Sequence, residues 1–286
     1  MAFVYSSTKE LDNNTSSPLG LNILADGSKL FYCGKNSSGN PSVIECALST
    51  PWNIASLTIT AALEVWANAN PPQDIIFFPD GSGFLVAGYN SADKYGLSLY
   101  EATTLFSVAG ASFVDKTTLS NTQEIRSVVF NADFSKMYCC KYSSIGYPEA
   151  IAQYNLSVPG IISTAVQVSA INYDVFDYNR VLSGRISDDG TAFYVLLEGT
   201  VGIKKLTLST PWDLSSYTDD GYVWDDLEGE NSLTESAIFL DSGADNLFIL
   251  GNDNILGTAV AHYIAGEEPP PVTEFWQNFH GQTEIL

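Results

Sequence analysis

The sequence predicts an all-β protein in which one structural unit is used five times. Three observations carry that reading: a strand–turn–strand segment that recurs at near-constant spacing, short apolar segments with period-two alternation, and no stretch of helical periodicity. The segment first reads Gly20-Leu-Asn-Ile-Leu-Ala-Asp26-Gly27-Ser-Lys-Leu30-Phe-Tyr-Cys33. It recurs from Asp74 to Ala87 around Asp80-Gly81, from Ser127 to Cys140 around Asp133, and from Arg185 to Leu196 around Asp189-Gly190. The fifth copy, Ser236 to Leu250, has a longer turn at Asp241. The anchors Leu30, Phe84, Met137, Phe193 and Leu247 lie 54, 53, 56 and 54 residues apart.

Each unit continues alike. A polar loop leads to an alternating segment: Val43 to Leu48, Leu97 to Ala102, Ile151 to Leu156, Ile203 to Leu208 and Ala259 to Ile264. A turn follows, near-identical in Leu48-Ser-Thr-Pro51-Trp52-Asn-Ile54 and Leu208-Ser-Thr-Pro211-Trp212-Asp-Leu214, and then a fourth short apolar piece. Four short strands per unit, repeated five times, read as the blades of a five-bladed β-propeller. The fifth unit runs out after three strands, at Ile264. Ala2-Phe-Val-Tyr-Ser6 supplies a candidate fourth strand and would close the ring, removing the unpaired edges of an open array. Residues 1–266 are thus the propeller, and 267–286 a separate tail.

Composition narrows the function. The 286 residues carry 33 acids against 12 bases, a net charge of −21. No Lys/Arg cluster exceeds Lys204-Lys205, so a phosphate-tracking stripe for nucleic acid is missing, and an anionic membrane surface is an equally poor partner. No apolar run reaches the length of a transmembrane helix, so membrane insertion is not expected. The start of the chain lacks the basic and apolar regions of a secretory signal. Cys33, Cys46, Cys139 and Cys140 form no C-x-x-C, and the two histidines are His262 and His280. A Cys/His zinc site is therefore excluded, and no metal or cofactor is expected. The cysteines read as small buried thiols, with adjacent Cys139 and Cys140 on opposite faces of a strand, one inside and one outside. A Cys33–Cys46 bridge would need an oxidising compartment.

The segments around Pro18-Leu-Gly-Leu, Asp26-Gly-Ser-Lys-Leu-Phe and Leu208-Ser-Thr-Pro-Trp-Asp-Leu resemble a propeller repeat of the type S-P-x-G-x-x-F-x-P-D-G-T-K-M-Y…L-S-T-P-W-D-I. Such repeats look like those of marine phage structural proteins and of uncharacterised bacterial surface proteins. The resemblance covers most of the chain and implies the propeller fold. The second and third units depart from it in the turn before the fourth strand, and Arg185 replaces an apolar residue in the fourth unit. Propellers host binding, scaffolding and catalysis alike.

The tail opens with Glu267-Glu-Pro269-Pro270-Pro271, a stiff extended spacer. Phe275, Trp276 and Phe279 then fall within five residues and share one face at helical spacing. Either they fold back on the propeller, or they are aromatic anchors that dock into a partner or neighbouring subunit; docking is the reading adopted.

No nucleophile motif is present. His262 sits inside an alternating strand and reads as structural. The inner-strand starts carry Asp74, Glu124, Arg180 and Glu235, which the register places near the channel mouth as candidate ligand-binding residues, and no catalytic residue is assigned. The acidic run Asp219 to Glu230 lacks EF-hand spacing and reads as a solvated loop. In the Asp-Gly turns, Asp caps and Gly takes positive φ; Trp52 and Trp212 read as plugs on the outer blade surface. The resemblance, the acidic surface and the tail together point to a non-enzymatic phage virion protein, such as a head decoration, fibre or tail-associated adhesin. It would be made in the host cytoplasm and held to other virion proteins or neighbouring subunits by its tail, with host-surface glycan as a further partner. The alternative is a carbohydrate-binding or glycosidase-type propeller, for which two inner carboxylates around an open pocket would be needed.

Overall fold

A computed structural model describes residues 2–11, 19–36, 38–90, 94–120, 123–142, 149–177, 179–198, 202–224, 234–240, 246–253 and 257–266; the side chains of some of their strand residues, Glu235 among them, lie outside the description. The tail with Phe275, Trp276 and Phe279 also lies outside it, as do 225–233 of the acidic run.

The strands form five antiparallel four-stranded sheets. The first blade is β2 (Leu19–Ile23), β3 (Lys29–Lys35), β4 (Pro41–Leu48) and β5 (Leu57–Glu64). The second is β6 (Pro72–Phe77), β7 (Gly83–Asn90), β8 (Lys94–Glu101) and β9 (Ser112–Ser120). The third is β10 (Glu124–Phe130), β11 (Lys136–Tyr142), β12 (Glu149–Leu156) and β13 (Ala165–Asn172). The fourth is β14 (Val181–Ile186), β15 (Ala192–Leu197), β16 (Gly202–Leu208) and β17 (Tyr217–Trp224). The fifth joins β18 (Thr234–Leu240), β19 (Asn246–Asp253) and β20 (Gly257–Gly266) to β1 (Ala2–Glu10), which pairs antiparallel with β20 from Ala2 opposite Gly266 to Glu10 opposite Ala259. The innermost strands touch in a closed circuit: β2 with β6, β6 with β10, β10 with β14, β14 with β18, and β18 with β2. This is a β-propeller arrangement whose last sheet is completed by the first strand.

Where an inner strand is packed on both faces, alternation gives way to continuous burial: all six residues of β6 and the first five of β14 are buried. The same geometry corrects the reading of the cysteines. Cys139 and Cys140 are both fully buried, because β11 lies between neighbouring sheets. All four thiols are free. Burial pushes Cys46 and Cys139 up to about 12, so they are inert thiols.

The turn face repeats one device. Asp26, Asp80, Asp133 and Asp189 each accept, through Oδ1, the backbone N–H two residues on, at 2.9–3.0 Å. The next residue is left-handed: Gly27 (φ +68), Gly81 (φ +70) and Gly190 (φ +71). Against those glycines lie the rings of Trp52, Phe106 and Trp212, where a Cβ would meet the ring at 2.5, 2.5 and 2.4 Å. The aromatic residues are themselves left-handed and donate their N–H to the same glycine's carbonyl, at 3.0, 3.0 and 2.9 Å. The tryptophans are therefore not plugs on the outer blade surface. They pin the two turns of one blade together, and Trp52 also packs against Phe239 and Phe248 of the fifth blade.

In the third blade the pair is exchanged. Phe134 holds the glycine's position (φ +58) and Gly160 the aromatic's (φ +76), and Gly160 N–H donates to Phe134 O at 3.0 Å. The Phe134 ring stacks on Phe130, with centroids 4.4 Å apart. The backbone hydrogen bond is thus kept while the ring–glycine contact is not: nothing lies within 4 Å of where a Gly160 Cβ would stand, and the Phe134 ring packs on Phe130 and Phe78 instead.

Candidate functional site

The axis is built from the inner strands. Each carries a β-bulge near its start, between Leu19 and Leu21, Pro72 and Asp74, Ile125 and Ser127, Val181 and Ser183, and Glu235 and Ala237. A bulge leaves a residue unpaired and re-aims its neighbours. In four blades the pairing resumes with Asp74, Ser127, Ser183 and Ala237 at equivalent register, so the backbone repeats there while the chemistry does not.

Asp74 is fully buried and its carboxylate is saturated. Oδ2 accepts Ser127 Oγ at 2.9 Å and Val128 N–H at 3.0 Å, and Oδ1 accepts Ile75 N–H at 3.0 Å. Arg185 approaches the same Oδ2 with Nη1 at 3.7 Å. Its Nη1 donates to Gly184 O (2.8 Å) and Ser127 Oγ (3.1 Å), and its Nη2 donates to Leu21 O. From the fourth blade this one side chain thus reaches groups of the first, second and third, and it lies across the axis as a pin. Burial raises the Asp74 pKa, and the Arg185 charge and the three hydrogen bonds oppose that rise. The register had placed Asp74 near the mouth; it stands in the interior instead, because the bulge turns it into the seam between the second and third blades.

A second polar group lies around β10 and β11. Glu124 Oε1 accepts Gln73 Nε2 at 2.7 Å and pairs with Arg126 Nε at 2.9 Å, and Arg126 Nη1 donates to Gln73 Oε1 at 3.3 Å. The guanidinium carbons of Arg126 and Arg180 lie 4.3 and 4.5 Å from the centre of the Tyr142 ring. Arg180 also donates to the Tyr142 hydroxyl and pairs with Glu198 at 3.0 Å. Burial pushes the Glu124 carboxyl above its ordinary value, against the pull of Arg126. Of the four residues singled out from sequence, Glu124 and Arg180 are thus joined through Arg126 and Tyr142, while Asp74 belongs to the axial pin. Glu235 of β18 pairs with Gly251 of β19, and its side chain lies outside the description.

Blade-to-blade clamps form a third group, which sequence reasoning missed. Lys29 Nζ binds Glu45 Oε1 (2.8 Å) and Phe106 O (2.9 Å), while Glu45 Oε2 accepts Ser107 Oγ (2.7 Å) and Val108 N–H (2.9 Å). In the third blade Lys136 and Gln153 hold the same register. Lys136 Nζ, Tyr138 OH and Gln153 Nε2 all donate to Trp212 O, and Gln153 Oε1 accepts Leu214 N–H at 2.7 Å. In the fifth blade the pair is Asn246 and His262, 2.8 Å apart, with the imidazole stacked on Phe248. His262 is structural, as its place in an alternating strand implies. Even blades carry Gly83 with Leu99 and Ala192 with Lys205 at these positions. The visible signal was a Lys directly before the Leu30 and Met137 anchors.

Of the acidic run, Asp219 pairs with Lys204 at 2.7 Å and Asp220 with Lys205 at 3.3 Å. Among the described residues no group of three or more His, Cys, Asp or Glu side chains is placed to hold a metal ion, and no helix is long and apolar enough to cross a membrane.

No protein-family model and no curated protein sequence matches the chain. Solved structures do. It superposes on a GH43_1 enzyme from Xanthomonas citri with a TM-score of 0.56 at 12% identity, covering 91% of each chain. A thermostable family-43 glycoside hydrolase gives 0.56 at 10% identity, covering 94% of this chain and 96% of that one. The β-propeller domain of Cps50 (Swd1) from Myceliophteria thermophila gives 0.50 at 9% identity, covering 92% and 100%. At these identities the likeness establishes the fold alone: the chain folds as a β-propeller.

Proposed function

We propose that the chain is a non-enzymatic propeller module of an assembled particle. The repeat resemblance narrows this to a phage virion appendage attached through the aromatic tail. The observation that carries the non-enzymatic part is the state of Asp74. Hydrolysis of a glycosidic bond needs two carboxyl groups facing a substrate, one held protonated and one ionised. Asp74 instead spends both oxygens on neighbouring blades, and Arg185 occupies the axis beside it. The test is co-sedimentation of the full chain with phage particles. Phe275→Ala with Trp276→Ala should abolish binding while leaving the circular dichroism unchanged. A variant that still sediments would exclude attachment through the tail.

A second reading, a carbohydrate-binding or glycosidase propeller, draws on the Glu124–Arg126–Tyr142–Arg180 group. There a carboxyl of raised pKa lies beside an aromatic ring and two guanidinium groups. Hydrolysis of aryl glycosides that disappears in Glu124→Gln would establish this reading and displace the first.

A further inference from the structure

The repeat provides its own control for surface chemistry, because the turn and outer strand of the first, third and fourth blades align residue for residue. Thr50 and Thr210 align with Val158, Asn53 and Asp213 with Ile161, Thr58 and Thr218 with Val166, and Thr60 and Asp220 with Val168. All four third-blade residues point outward, with exposures of 50%, 49%, 65% and 52%. The exchange is not neutral for the fold. Asn53 and Asp213 cap the short 3-10 turns at 54–56 and 214–216 by accepting the N–H of Ala55 and Ser215, whereas Ile161 provides no side-chain cap for the turn at 162–164. Polar groups, one of them a cap, are thus replaced by exposed apolar ones along a single blade edge.

The same stretch carries no ionisable residue from Ser157 to Asn172, in a chain of net charge −21. Of the other outer strands, β9 carries Asp115 and Lys116, β17 Asp219 and Asp220, and β1 Lys9 and Glu10, while β5 is uncharged up to its last residue, Glu64, and with the turn before it has Thr50, Asn53, Thr58 and Thr60 where the third blade has aliphatic side chains. Two copies of so acidic a protein repel each other, and they can touch only where no carboxylates are brought face to face. A two-fold axis through the third-blade edge would set the uncharged run opposite itself.

We propose that the edge formed by Val158, Ile161, Val166 and Val168 is a self-association surface, and that its occupant is the same edge of a second copy of this chain. The proposal is independent of the tail and of the particle reading. An uncharged apolar contact inside a strongly acidic pair strengthens with salt, since only the surrounding repulsion is screened.

The test is sedimentation equilibrium of the full chain at about 10 mM and about 300 mM salt. The expected result is a monomer–dimer equilibrium at least about tenfold tighter at the higher salt. Val158→Thr, Ile161→Asn, Val166→Thr and Val168→Thr together restore the residues of the first blade and should give a monomer that melts no lower than the parent. Val166→Lys alone should also give a monomer, which keeps the test decisive if the fourfold variant folds poorly. Ile59→Thr, an exposed apolar residue of another blade, and Phe275→Ala with Trp276→Ala should leave the dimer intact. A parent chain monomeric at both salts, a dimer that survives Val166→Lys, or a dimer lost with the tail aromatics would each overturn the proposal.

Discussion

The turn face and the axis of this propeller are built on opposite principles. On the turn face the same chemistry recurs in the first four blades: an aspartate closing the turn and a left-handed residue after it, joined in the first, second and fourth by a ring against a glycine. At the axis only the backbone recurs, through a bulge in every inner strand, and the side chains are used once each. Repetition marks what every blade needs in order to form. Single use marks what the assembled ring needs, and here that is one arginine and one aspartate tying four blades together. A lone buried carboxylate in a propeller therefore need not be a reacting group.

The largest effect that would break this contrast is at the pin. Arg185→Leu leaves Asp74 buried without its cation and should cost about 3–5 kcal/mol, read as denaturant midpoint. A loss below about 1 kcal/mol would show that the axis tolerates an unpaired carboxylate and that the pin is incidental. On the turn face, Gly27→Ala adds a Cβ against the Trp52 ring in a left-handed turn and should cost about 2 kcal/mol.

Smaller effects sharpen the picture. Glu45→Gln copies the third-blade clamp and should cost about 1 kcal/mol at neutral pH. Burial pushes the Glu45 carboxyl upward, but the Lys29, Ser107 and Val108 hydrogen bonds outweigh it and hold it below its ordinary 4.5. Its contribution is therefore present above that value and lost as the pH falls through the folded-state pKa. The gap between parent and variant melting temperatures should accordingly close as the pH falls below 4.5 and through the lowered folded-state pKa. A gap independent of pH would assign the difference to shape. Ile161→Asn should add about 0.5–1 kcal/mol by restoring the missing cap, and no gain would mean that the turn at 162–164 is already satisfied.

Much of this architecture was legible in the sequence because its signals are local. The Asp-Gly turns, the strand order and the borrowed strand β1 all follow from short-range patterns. Trp52 was misplaced because its glycine lies 25 residues earlier in the chain (Gly27), a pairing that strand patterns do not expose. The Lys29–Glu45 clamp spans two blades and ends on the backbone of Phe106 and Val108, so no side-chain motif announces it. Cys140 was half-misread because alternation assumes one wet face, and β11 has none. Arg185 was visible as a charge where an apolar residue was expected, but its role depends on Leu21, Asp74 and Ser127, which only ring closure brings together.

Whether Asp74 serves the fold or a ligand is decided by the sign of one stability change. Groups held for catalysis or ligand binding commonly cost the protein stability, so replacing them raises it. Thermal unfolding of Asp74→Asn at neutral pH should show a lower melting temperature than the parent, corresponding to roughly the 3–5 kcal/mol lost when one partner of a buried ion pair is removed, here leaving Arg185 without its counter-charge. A variant that melts higher than the parent would contradict the account and return Asp74 to the candidates for a reacting or ligand-binding carboxylate.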